Sequence, residues 1–203
     1  MAGIDPHWLV QDGSRPWRSE RERELALAYP GHVVRHGSLL ALKLENGKFA
    51  WLVDVDGPGL AGFGCCESYR LSEFWPGQGT YAVEVNQGEA WWYWLVSART
   101  ADVTVIAGPP RQDPQTPGLL ASVLSSDLGG FRAEVWEQQQ GEWRRSYLCQ
   151  QLAYGTGFVR WDGPGRALLH TPDPSGTTRE HLLARQDGVW ATTACQNAEA
   201  PSR

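Results

Sequence analysis

Five histidines, His7, His32, His36, His170 and His181, are the residues with which this chain would do acid–base or metal chemistry near neutral pH. A transition-metal site needs three or four ligands converging on one ion. His32 and His36 sit four apart in an extended segment, so they share one side of a strand but stand about 13 Å apart by the strand rise, too far to hold one ion. His170 and His181 fall on consecutive strands and could approach each other, with Asp173 and Glu180 nearby. That pair is the basis for one alternative expectation, a hydrolase-type site near His170 and His181. No third ligand accompanies it, so no metal and no cofactor is expected. The run Asp54-Val55-Asp56-Gly57 opens like a calcium loop, but Pro58 and Cys65 fill its fifth and twelfth positions, where oxygen ligands are required. Gly-x-Ser-x-Gly, His-Glu-x-x-His, the Walker loop and the Rossmann glycines do not occur. No catalytic residue is assigned, and a non-enzyme is the leading expectation.

The four cysteines are Cys65, Cys66, Cys149 and Cys195, with no Cys-x-x-Cys of the zinc or thioredoxin kind. Cys149 and Cys195 end equivalent hairpins, one register apart. In a reducing compartment each is expected as a small buried hydrophobe, with a disulfide between them as the alternative. Aromatics are the other unusual resource, at eleven Trp against one Met. Along Trp91-Trp92-Tyr93-Trp94, a strand sends Trp91 and Tyr93 to one face and Trp92 and Trp94 to the other, so one set needs cover. Either a neighbouring sheet supplies it, or Trp92 and Trp94 join Trp75 and Tyr81 in an exposed binding patch for a ligand or protein partner. Trp75, Tyr81, Trp92 and Trp94 are the expected binding residues.

What must position these groups is a repeat. At a spacing of 47, Pro117-Gly118 falls on Pro164-Gly165, Arg132 on Arg179, Gly141 on Gly188 and Trp143 on Trp190. At a spacing of 41, Gly47 falls on Gly88 and Trp51 on Trp92. Periods of this size signal stacked or radially arranged supersecondary units. Period-two patterns over 38–45 and 48–55 flank Asn46-Gly47, which permits a type I′ hairpin turn. Strands are expected at 68–75, 80–85, 90–96 and 103–106, forming one antiparallel sheet. Further strands are expected at 119–124, 132–136 and 143–149, then at 157–161, 166–170, 179–184 and 189–195. Ahead of them, residues 14–29 read as a short helix with a solvated Glu/Arg face, in which Trp17, Leu25 and Tyr29 share the other side.

Gly108-Pro109-Pro110, Asp113-Pro114, Pro117-Gly118-Leu119 through Asp127, and Arg132-Ala133-Glu134-Val135-Trp136 together resemble a TolB-type propeller blade. Such a blade has a Ser-Pro-Asp-Gly turn, an apolar strand and a strand ending in an aromatic, and Gln112-Asp113-Pro114-Gln115 stands here at the turn. The resemblance covers residues 68–196 and extends to uncharacterised bacterial proteins with such blades. It implies one sheet per blade and a partner-binding role, and it carries no catalytic residues.

The expected fold is therefore all-β, with about four antiparallel propeller-like units and a short N-terminal helix. A β-sandwich or barrel is the alternative. Residues 1–30 are expected as arm and helix, 31–196 as a single β-repeat domain, and 197–203 as a disordered tail. The net charge is −5, with no Lys/Arg cluster outside residues 15–23, which removes the footprint for nucleic acid and favours a basic partner. Neither a leader pattern nor an apolar run of membrane length occurs, so a cytoplasmic location without a membrane partner is expected. The functional expectation is a protein-binding module, in concrete form a bacterial immunity or antitoxin-type inhibitor of a basic toxin. Besides the enzyme, the remaining alternative is a structural subunit that self-associates into a homo-oligomer.

Overall fold

The computed structural model describes residues 17–55, 67–88, 90–126, 130–173 and 175–196. Expectations for His7, the arm at 1–16, the Asp56–Gly64 connection, Cys65, Cys66 and the tail at 197–203 lie outside the described residues. The rest is all-β apart from one α-helix and one 3-10 turn. Helix α1 (Glu20–Ala28) precedes strands β1 (Val33–His36), β2 (Leu39–Lys43) and β3 (Phe49–Val53), which pair in that order. A second sheet has the order β4 (Glu67–Trp75), β5 (Thr80–Gln87), β6 (Ala90–Ser97) and β7 (Val103–Ile106). The third is β8 (Pro110–Gln112), β9 (Leu119–Ser126), β10 (Gly130–Gln139) and β11 (Glu142–Cys149). The fourth is β12 (Gly157–Trp161), β13 (Arg166–Pro172), β14 (Thr178–Gln186) and β15 (Val189–Thr192). Each is an antiparallel meander in chain order. The chain divides into two compact units, Met1–Gly88 with Val96–Val103, and Glu89–Leu95 with Thr104–Arg203.

In the first unit the helix starts later than its charge pattern indicates, because Ser19 caps it, its hydroxyl accepting from the Glu22 N–H at 3.1 Å. The Glu/Arg ladder is only half solvated. Arg21–Glu24 and Arg23–Glu20 pair along the surface, but Glu22 turns inward. Its carboxylate takes two N–H bonds from Arg35, at 2.7 and 3.1 Å, and one from the Leu71 backbone at 3.1 Å. Arg35 also reaches Asp54 at 3.4 Å and the Tyr69 carbonyl, while Asp54 receives Arg18 at 2.6 Å and the Tyr69 N–H at 2.8 Å. The side chains of Glu22, Arg35 and Asp54 are 0%, 1% and 0% exposed. Asp54 is thus a structural anion and not the first ligand of a calcium loop.

The glycine turns differ in kind. Gln140-Gly141 and Asp187-Gly188 have positive φ at both positions, 54° and 87°, then 52° and 82°, as a two-residue type I′ turn requires. At Asn46-Gly47 only Gly47 is positive, at 79°, and Leu44 and Lys48 close a three-residue loop. The expected type I′ turn at 46–47 is replaced by the wider loop with glycine in the left-handed position. The turns also differ in place. Gly141 and Gly188 join the third and fourth strands of their sheets, whereas Gly47 and Gly88 join the second and third.

In the second unit the 47-residue repeat becomes two equivalent sheets, β8–β11 and β12–β15. One core joins them, through Leu119, Ala121, Val123, Ala133 and Val135 on the first and Ala167, Leu169, Leu183 and Trp190 on the second. Moved by 47, the first set falls on positions 166, 168, 170, 180 and 182, which alternate with the set used by the second sheet. Opposite faces of the two copies therefore meet, and the sheets stack face to back.

Cys149 and Cys195 form a disulfide with Cα atoms 5.8 Å apart, which overturns their expected role as independent buried thiols. The cause is the backbone path. An antiparallel bridge from Leu152 to Cys195 and the Ala153 N–H to Ala194 carbonyl bond bring the chain after β11 alongside the chain after β15. Among the described residues, no helix is long and apolar enough to cross a membrane.

Candidate functional site

The expected aromatic patch is not assembled. Tyr81 is 0% exposed, its ring stacked on Phe74 at 4.3 Å and its hydroxyl donating to the Lys43 carbonyl at 2.7 Å. Trp75 is 9% exposed. The pairing Phe74↔Tyr81 and Trp75↔Thr80 explains the failure, since neighbours one register apart face opposite sides of a sheet. Trp92 and Trp94 are half-buried. Trp91 and Tyr93 do share a face, meeting edge to face at 6.1 Å. With Ile106, Arg132 and Glu134, Trp91 and Trp92 line a cavity of about 310 Å³. Glu134 there is satisfied by the Ala107 N–H and the Trp136 indole, at 3.2 and 3.0 Å.

The same rule separates the histidines. His170 pairs with Glu180 and His181 with Leu169, so the two imidazoles point to opposite faces and no joint site forms. His170 packs over Gly157, where an added Cβ would meet the ring at 2.8 Å. Burial, with Arg179 nearby, holds the His181 imidazole below its usual pKa. Its Nδ1 meets the Thr193 hydroxyl at 2.9 Å, and its Nε2 has no partner among the described residues. The His32 ring lies tilted against Phe74, with centroids 5.4 Å apart. Among the described residues no three His, Cys, Asp or Glu side chains gather as a metal site.

A larger cavity, about 750 Å³, opens where the two copies of the repeat meet. That is within the range of small-molecule and peptide sites. Both copies line it with equivalent residues: Pro117 and Pro164, Gly118 and Gly165, Leu119 and Arg166, Glu137 and Ala184, Gln138 and Arg185. Leu182, Gln186 and Trp190 complete the apolar and amide surface. Beneath the two turns lies Asp113, whose carboxylate accepts from the Gly165 N–H at 2.7 Å and the Gln115 N–H at 2.8 Å. Burial opposes its ionisation, yet the donors of Gly165, Gln115 and Thr116 together hold the carboxyl below its usual pKa. Asp113 is thus the tie that fixes the Pro164-Gly165 turn against the Thr116–Gly118 turn.

On the cavity wall Glu137 accepts from Arg185 at 2.5 Å and from the Trp190 indole at 2.9 Å. Burial works against its charge, but Arg185 and Trp190 outweigh that and keep the carboxyl below its usual range. Arg185 also lies over the Trp190 ring, 5.4 Å from its centroid. Arg166, at the first position of β13, makes no ion pair among the described residues. The fixed pair, the unpaired cation and the apolar wall can bind and orient a ligand; no nucleophile with an adjacent base stands among them.

Sequence reasoning passed over Glu137, Arg166 and Arg185, because the two copies differ at most positions and nothing in the alignment singles these three out. The copies agree at Pro-Gly, Arg132/Arg179, Gly141/Gly188 and Trp143/Trp190, and they differ at Leu119/Arg166, Glu137/Ala184 and Gln138/Arg185. These three differing pairs, among many, line one cavity.

The link through Asp113 has a pH signature. A carboxyl held low in the folded state contributes stability that is fully present above the unfolded value near pH 4 and is lost as pH falls through the folded value. Asp113→Asn keeps one oxygen acceptor and loses the other, so it is expected to cost about 1.5–3 kcal/mol at pH 7, the worth of one hydrogen bond to a charged group. It should also flatten the acid limb of the stability profile below about pH 4, measured by urea titration from pH 2 to pH 8. No protein-family model matches this chain, and no curated protein or solved structure matches it significantly.

Proposed function

We propose that the chain is a non-enzymatic protein-binding module whose recognition site is the large cavity between the two repeat copies. The observation that carries this reading is the cavity itself: about 750 Å³, lined by both copies, with Glu137 and Arg185 clamped by hydrogen bonds and a ring contact before any partner arrives. The face-to-back stacking of equivalent sheets supports a propeller-like arrangement, a geometry that offers loops and strand ends to a partner. A net charge of −5 steers a basic protein toward it, as an immunity or antitoxin-type inhibitor would use. The disulfide suits an oxidising compartment, so the protein acts outside the reducing cytosol that its sequence pattern alone favours.

The test is a pair of tagged proteins, wild type and Gln186→Trp, used to capture partners from the native host. Gln186 is exposed on the cavity wall, so the indole fills the opening while the melting temperature stays within the range of a neutral surface change. Wild type is expected to recover a stoichiometric partner and Gln186→Trp at least about tenfold less of it, a difference of 1.4 kcal/mol. Equal recovery by both proteins, or none by either, would overturn the reading.

A further inference from the structure

The unpaired groups on the cavity wall say what the partner must present. Arg185 is neutralised by Glu137 and held on Trp190, which leaves Arg166 as the cavity cation without a counter-charge among the described residues. Arg166 pairs in register with Ala184, and Gln186 lies two residues further along the same strand, so both side chains leave the same face of the sheet as diagonal neighbours. The Gln186 carboxamide likewise makes no hydrogen bond among the described residues. A guanidinium fork beside an amide N–H is a donor set for a carboxylate. Pro117, Pro164 and Leu182 supply an apolar wall in the same cavity.

The repeat shows that this charge is local to the second copy. The position equivalent to Arg166 is Leu119, a buried core residue, so the fold is served by an apolar side chain at that place. We infer that the cavity receives the free carboxyl end of a partner polypeptide whose last residue is apolar, with Arg166 taking the carboxylate. A terminal residue carries anion and apolar side chain on one Cα, which matches a cation set beside an apolar wall, and capture of a chain's carboxyl end is a recurring recognition mode. An Asp or Glu side chain would bring its carboxylate without the apolar group on the same residue. This inference rests on the cavity being the recognition site, and it adds the chemistry of what enters.

The probe is an array of seven-residue peptides of randomised sequence ending in Val, Leu, Ile or Phe, each made with a free and with an amidated terminus. The strongest binders are then titrated by fluorescence anisotropy. Peptides with free termini are expected to bind, and both amidation and Arg166→Gln are expected to weaken binding at least about tenfold, the scale of one charge-assisted hydrogen bond. Arg166→Lys should restore part of the loss, and thermal melting should be unchanged in both variants because Arg166 is exposed and unpaired. Equal binding of free and amidated peptides, indifference to Arg166→Gln, or no binding by any peptide would each overturn the inference. Should partner capture remain sensitive to Gln186→Trp in those cases, the cavity stays the recognition site and only the carboxylate assignment falls. Capture indifferent to Gln186→Trp removes the site itself.

Discussion

Arg35→Met is expected to destabilise the first unit by about 3–5 kcal/mol, the largest effect of any single substitution considered for this chain. The guanidinium lies between two carboxylates, Glu22 and Asp54, that are themselves fully buried. Among the described residues, removing it leaves the Glu22 carboxylate with only the Leu71 N–H, so a charge sits in the interior without a counter-charge. Asp54 keeps Arg18 and the Tyr69 N–H and suffers less. The double variant Glu22→Leu with Arg35→Met removes both members of the closest pair, and it should recover much of the loss, since apolar residues of similar volume replace a buried ion pair at little cost. Urea unfolding of the wild type and both variants measures this. A loss below about 1 kcal/mol for Arg35→Met would place the network among ordinary surface pairs and contradict the account.

Breaking the Cys149–Cys195 bond carries the second large effect. The two residues are 46 apart in sequence, and closing a loop of that length constrains the unfolded chain by about 4 kcal/mol in the chain-entropy treatment. Cys149 also belongs to the core shared by the two repeat copies, with Cys195 packed against it. The variant Cys149→Ala with Cys195→Ala, or treatment of the wild type with dithiothreitol, should lower the melting temperature of the second unit. A reductant that leaves the melting curve unmoved would show that the bond does not form in solution.

Much of the β architecture was legible in the chain. Val103–Ile106 and Gly157–Trp161 have the bounds that alternation and turn residues give them, and the second sheet is the expected four-stranded meander. The 47-residue spacing became two equivalent sheets because Gly118, Gly141, Gly165 and Gly188, which recur at that spacing, are turn formers whose backbone requirements are local. Strand β8 escaped notice because Gly108-Pro109-Pro110 reads as a loop, and proline is tolerated there on an edge strand. The inward turn of Glu22 was hidden by its place in a Glu/Arg ladder, since its partner Arg35 comes from another element.

The site was far less legible, and register is the reason. Trp75 and Tyr81, like His170 and His181, looked like neighbours from strand order, yet a one-residue offset in pairing sends each pair to opposite faces. The cavity's charged groups, Glu137, Arg166 and Arg185, stand at positions where the two copies of the repeat differ, whereas a search for periodicity attends to where they agree. The disulfide depends on where two chain segments run after their strands end, which spacing does not reveal.

The central claim is that recognition happens at the cavity between the repeat copies. Hydrogen–deuterium exchange of the wild type with and without its captured partner tests it most directly. The account predicts protection concentrated in residues 116–119, 137–138, 164–166 and 182–186, the segments that line the cavity. Protection confined instead to the first unit, or to Trp91 and Trp92, with those segments unchanged, would contradict it.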